Sequence, residues 1–169
     1  MDTRDLFPHE ILQDAIGKSC AKSEFSIKML VILSFLGGGY VGFGYLACLR
    51  VISGIPAEWN GLAALLGASV FPIALICILI GGGELATGNM MIMALGRLTG
   101  RVSTYKLVRN WLIVSLGNLA GAVAMAYFLG HYVGLAEGPA TAKTIAIAEA
   151  KINMDFGRAF VSAIACNWM

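Results

Sequence analysis

The chain has 169 residues, of which 58% are hydrophobic and 13% charged, with a mean hydropathy of +0.78. Soluble domains carry about 25% charged residues, so the composition excludes an ordinary soluble fold and indicates a membrane protein. A net charge of +2, from 12 basic and 10 acidic residues, is too small and too scattered for a nucleic-acid partner.

Residues 1–26 form a polar N-terminal segment with helical character from Pro8 to Lys22. The opening MDTRDLFPHE lacks the basic-then-apolar pattern of a cleaved signal peptide, so the first apolar run is expected to stay in the membrane. That run, residues 29–49, is uncharged and reaches the ~20 residues of a membrane span. A polar connection with Arg50, Glu58 and Asn60 follows. Residues 61–95 then hold 35 residues and a single charge, Glu84. A straight helix of that length rises ~52 Å, against ~30 Å of hydrocarbon. The segment is therefore expected to be interrupted, with Gly81, Gly82 and Gly83 at the break and Pro72 at a kink.

Residues 96–109 carry Arg97, Arg101, Lys106 and Arg109 and no acid, which places them in the cytoplasm by the positive-inside rule. Residues 111–130 read as the next span, so that 27–130 forms a three-span unit. Residues 131–157 mix Glu137, Glu149 and Asp155 with Lys143 and Lys151 and read as an external loop. Arg4, Lys18, Lys22 and Lys28 keep the N-terminus inside. The apolar end, from about residue 158, covers too little helix to cross. It reads as the start of a fourth span that is cut short, in preference to a half-span.

The four cysteines, Cys20, Cys48, Cys77 and Cys166, show no C-x-x-C spacing and read as free thiols in or beside apolar segments. The eight methionines are apolar filler, because neighbouring sulfurs on a helix do not converge on a metal. Gly38-x-x-x-Gly42 and Gly117-x-x-x-Gly121 permit close helix approach. Asn118 suits an interhelical hydrogen bond better than a ligand contact.

A glycine-rich joint within a membrane segment frees backbone groups and helix ends to face a solute. A half-helix starting near Thr87 to Met90 points its positive end at the joint, which favours an anion. The Thr87 hydroxyl and the Asn89 amide add hydrogen-bonding groups. Glu84 is a functional candidate as an ionisable group inside the membrane; the alternative is that it pins the loop through hydrogen bonds.

The stretch GGELATG at residues 82–88 resembles the first signature of the formate/nitrite transporter family, with Ala86 departing from the usual Phe or Ile. RNWLIVSLGNLAGA at 109–122 is similar to the family's third-helix motif, GRVS at 100–103 to the basic loop before it, and AIACNW at 163–168 to the opening of the second signature. The resemblance implies an all-α, aquaporin-like protomer of two inverted three-span repeats. This chain then supplies the first repeat, with its interrupted second helix, and the start of a fourth span at 158–169. It implies a homopentamer in the cell membrane, each protomer passing small monovalent anions such as formate or nitrite, with proton coupling in some members. By the same resemblance, Phe71 and Leu75 match an apolar constriction. Thr87 faces the solute, within a loop that holds Glu84, Gly88 and Asn89. Lys22 matches an anion-attracting lysine, with Lys18 and Lys28 as alternatives. The family's buried histidine belongs to the second repeat, and His9 and His131 lie in polar segments. No cofactor, metal or catalytic residue is implied, and an enzyme is not expected. The alternatives are a non-conducting fragment of such a transporter and a membrane anchor subunit of an enzyme.

Overall fold

In the computed structural model, which describes residues 7–168, every regular element is helical. The elements are α1 (Pro8–Ser23), α2 (Ile27–Ser53), a short 3-10 turn (Ala57–Trp59), α3 (Asn60–Val70), α4 (Ile73–Gly81), α5 (Ala86–Leu98) and α6 (Thr104–Met125). A π-helical turn (Ala126–Tyr132), α7 (Pro139–Ile152) and α8 (Phe156–Trp168) follow. Three helical runs are long and apolar enough to cross a membrane: Ile27–Ser53, Ala57–Gly81 and Thr104–Tyr132. The chain is an all-α, multi-pass membrane protein.

The sequence breaks its helices where elementary constraints require it. Pro72 has no N–H to donate and its ring crowds the preceding turn, and α3 ends at Val70 with α4 resuming at Ile73. At the joint, Gly82 takes φ +82°, a left-handed conformation that glycine adopts without steric cost. The Gly82 and Gly83 N–H groups both donate to the Ile78 carbonyl, at 2.9 and 3.0 Å, closing the end of α4. The polar segment expected as a loop at 131–157 contains α7. Pro139 occupies its first turn behind Gly138, a helix-start arrangement that the mixed charges had masked.

Two compact units can be described. The first comprises residues up to Tyr40 together with Cys77–Ala122. Here α2 and α6 meet through glycines. A side chain at Gly38 would fall on the Asn118 backbone, and one at Gly121 on the Phe35 carbonyl and Gly39 N. Gly117 lies against Ser34 and Gly37 against the Glu84 carbonyl. On the other side, α1 packs on α5, where Gly96 receives the Ser19 side chain. Met93, Val102 and Leu107 form a buried cluster, with Trp111 packed against it.

The second unit comprises Val41–Ile76 and the residues from Val123 onward. Gly44 lies under Ala74, and Gly67 against Cys48 and Ile52. Tyr45 meets Phe71 edge to face at 6.3 Å, and Phe156 stacks on Phe160 at 6.0 Å.

Candidate functional site: the joint between α4 and α5

The four residues from Gly82 to Leu85 carry the chain from one helix to the next, all within the first unit. Backbone that leaves a helix at membrane depth must find new partners, and here it finds them on α2 and α6. The Glu84 N–H donates to the Leu33 carbonyl of α2 at 2.9 Å. The Asn118 amide of α6 does the rest. Its Nδ2 donates to the Glu84 carbonyl at 2.8 Å and to the Ser34 carbonyl at 2.7 Å, and its Oδ1 accepts from the Ala86 N–H at 2.8 Å. One side chain thus satisfies a carbonyl and an N–H of the joint and ties them to α2. Gly37 and Gly38 allow this approach because they have no side chain to hold the joint and α6 away.

The Glu84 carboxylate is buried and points into a polar cluster. Lys22 of α1 forms an ion pair with its Oε1, and Asn89 Nδ2 donates to its Oε2 at 2.6 Å. Lys22 also donates to Asn89 Oδ1 at 3.1 Å. Asn89 Nδ2 reaches Asn110 Oδ1 at 2.9 Å, and Trp111 Nε1 donates to the Asn89 carbonyl at 3.3 Å. A buried carboxylate is tolerated only when paired and hydrogen-bonded, and this one is both. Asn110 Nδ2, fully buried, finds no acceptor among the described residues.

The opposite situation holds at the start of α5. Its N-cap residue, Leu85, has no side-chain oxygen to offer, and the first turn contains no acid. Ala86 N–H is taken by Asn118 and Asn89 N–H by the Leu85 carbonyl at 2.9 Å. The N–H groups of Thr87 and Gly88 and the Thr87 hydroxyl have no hydrogen-bond partner among the described residues, and both residues are exposed. An uncapped helix start with a free hydroxyl is a donor-rich, positive locus suited to an anion.

Of the residues singled out in the sequence, the structure brings Lys22, Glu84 and Asn89 into one hydrogen-bonded group and leaves Thr87 and Gly88 open beside it. Lys18 pairs instead with Asp14 at 2.7 Å on the exposed face of α1, and Lys28 is exposed at the start of α2. In the second unit, Phe71 and Leu75 are both exposed. They stand on either side of the Pro72 break, not on one uninterrupted helix face. Sequence reasoning missed the pairing of Lys22 with Glu84 and the part played by Asn110. The available signal for Asn110 was an amide at the edge of an apolar span.

The family model for formate/nitrite transporters matches residues 9–169. The chain is 46% identical over 163 residues to an "Uncharacterized transporter YrhG" of Bacillus subtilis, covering 96% of this chain and 61% of that protein. It is 37% identical over 162 residues to a "Formate channel BtFdhC" of Bacillus thuringiensis, covering 96% and 62%. Among solved structures, an "FNT family ion channel" superposes with a TM-score of 0.67 at 25% identity, over 75% of this chain and 50% of that one. The chain therefore spans less than two thirds of the length of these relatives. On the family match and on the shared fold, the chain belongs to the formate/nitrite transporter family.

Proposed function

We propose that the protein passes small monovalent anions, formate or nitrite, across the cell membrane. The observation that carries this reading is the uncapped start of α5, where two N–H groups and the Thr87 hydroxyl have no partner among the described residues while the neighbouring acid, Glu84, is neutralised. A bare Glu84 carboxylate would repel an anion. Paired with Lys22 and bonded to Asn89, it leaves the positive end of α5 to set the local field. Thr87 and Gly88 then donate to the anion, and Asn89 holds the turn behind them. Lys22 keeps the approach electrically neutral and adds to the attraction as an anion nears. Phe71 and Leu75 supply an apolar constriction that a hydrated ion crosses only after shedding water.

The basic stretch from Arg97 to Arg109 supports a cytoplasmic N-terminus by the positive-inside rule. The working assembly is a homopentamer with a path in each protomer, open to proton coupling. The chemistry required is binding and passage, with no bond made or broken, so the protein is not an enzyme.

The test is formate and nitrite flux into liposomes. It compares this 169-residue chain with a version extended by the second half of a family member. Saturable flux of either anion supports the reading. A correctly folded extended protein that carries neither anion refutes it.

A further inference from the structure

Beyond the anion path, the loop between α5 and α6 forms an open pocket of about 560 Å³ whose lining, among the described residues, includes Arg97, Arg101 and Lys106 and no acidic residue. The three cations differ in what they already hold. Lys106 donates to Glu24 Oε1 at 2.5 Å, and Arg97 Nε donates to Thr104 Oγ1 at 2.9 Å, leaving the rest of its guanidinium free. Arg101 is exposed, and its side chain has no partner among the described residues. Among the described residues the pocket thus retains the charges of Arg97 and Arg101 uncompensated. Thr104 and Tyr105 add backbone N–H groups with no acceptor among the described residues, and the first turn of α6 holds no acid.

The position of the pocket selects its ligand. Thr104 begins a membrane-spanning run, so the loop sits at the level of the lipid headgroups. Two large apolar side chains flank the loop and face outward: Leu98 is 85% exposed and Tyr105 74%. A soluble phosphate has no use for them, whereas a phospholipid places acyl chains beside Leu98 and its headgroup among the cations. Tyrosine is favoured at that depth, and basic clusters next to a span recognise anionic headgroups.

We propose that Arg97, Arg101 and Lys106 form a binding site for the phosphate of an anionic phospholipid. The headgroup phosphate lies against Arg101 and the free edge of Arg97, with Lys106 beside them, held on Glu24.

Native mass spectrometry tests this on the full chain in neutral detergent with equal phosphatidylglycerol and phosphatidylcholine. Phosphatidylglycerol is expected to be retained in preference. Each cation removed, first in Arg101→Gln and then in Arg97→Gln/Arg101→Gln, lowers that retention about fivefold. Arg101→Lys keeps most of it, and Lys143→Gln, in the second unit, changes nothing. Arg101 is exposed, and an unchanged thermal unfolding curve shows that each variant is folded. Equal retention of the two lipids, or undiminished retention in the double variant, overturns the proposal. Displacement of the lipid by millimolar inorganic phosphate also overturns it, because the site is then one for soluble anions.

Discussion

Replacing Lys22 by methionine keeps the length and apolar stem of the side chain and removes its charge. The Glu84 side chain is 7% exposed and that of Lys22 22%. Without Lys22 the carboxylate retains one strong donor, Asn89 Nδ2 at 2.6 Å. Breaking a buried pair from one side costs ~3–5 kcal/mol, because the remaining charge is left without compensation. The partial exposure of Lys22 puts this case at the lower end, about 3 kcal/mol. Glu84→Gln strands only the lysine, which can reach water, and costs less, about 1–2 kcal/mol. The double variant Lys22→Met/Glu84→Gln buries no charge and is expected to lie close to wild type, giving a coupling of roughly 4–5 kcal/mol. Thermal unfolding in detergent, followed by tryptophan fluorescence, reads this directly, since Trp111 donates to the Asn89 carbonyl inside the cluster. At about 2–4 °C per kcal/mol for a chain of this size, Lys22→Met lowers Tm by roughly 6–12 °C. Additive single and double variants, with no coupling, would refute the reasoning. Flux through the double variant separates two roles of Lys22. Full recovery makes it a counter-ion alone, and a persistent deficit means that it also draws the anion in.

Three other outcomes follow from the same geometry. Thr87→Val removes a hydroxyl that no group among the described residues uses, so Tm should hold while formate flux falls about tenfold, the worth of one hydrogen bond to a charged group; unchanged flux removes Thr87 from the path. Gly38→Ala drives a methyl into the Asn118 backbone and should cost about 3 kcal/mol or more, whereas at Gly88 an added Cβ meets nothing within 4 Å and stability should persist; a thermal shift of equal size in both variants contradicts this packing. The Lys106 ammonium, bonded to Glu24, holds that carboxyl below its ordinary pKa. A lowered carboxyl pKa stabilises the fold above the unfolded value, and the benefit disappears as pH falls through the lowered one. The pair is exposed, so the difference in Tm between wild type and Lys106→Met should be small near neutrality and vanish in acid; a difference that widens on acidification has the wrong sign.

Much of the fold was legible because lipid imposes simple arithmetic. Residues 61–95 are too long for one straight helix, and Gly81–Gly83 and Pro72 mark where the chain yields, close to the observed breaks after Gly81 and at Phe71–Pro72. The start of α5 at Ala86 falls just ahead of the Thr87-to-Met90 start expected from the sequence. The partner of Glu84 was not legible. Lys22 lies 62 residues earlier, and nothing local announces that α1 folds back onto α5. Lys22 drew attention for its charge, but its immediate neighbour is a carboxylate. Asn118 suits an interhelical contact, and it makes one to the Ser34 carbonyl of α2, but its bonds to the Glu84 carbonyl and the Ala86 N–H depend on the register set by Gly37 and Gly38. The helix α7 was hidden by a composition that resembles a loop. The π-helical turn after Met125, which carries the third span to Tyr132, has no local sequence signature.

The Lys22–Glu84 pair also bears on how the chain enters the bilayer. An acid delivered to the middle of a membrane alone carries a penalty that a translocon must overcome. Lys22 is synthesised 62 residues before Glu84. It can therefore wait at the membrane surface on α1 while the intervening segments are threaded. When the joint arrives, its counter-charge is already in place, and docking of α1 on α5 seals the pair. The charge that makes the run costly to insert is the same charge that holds α1 on α5.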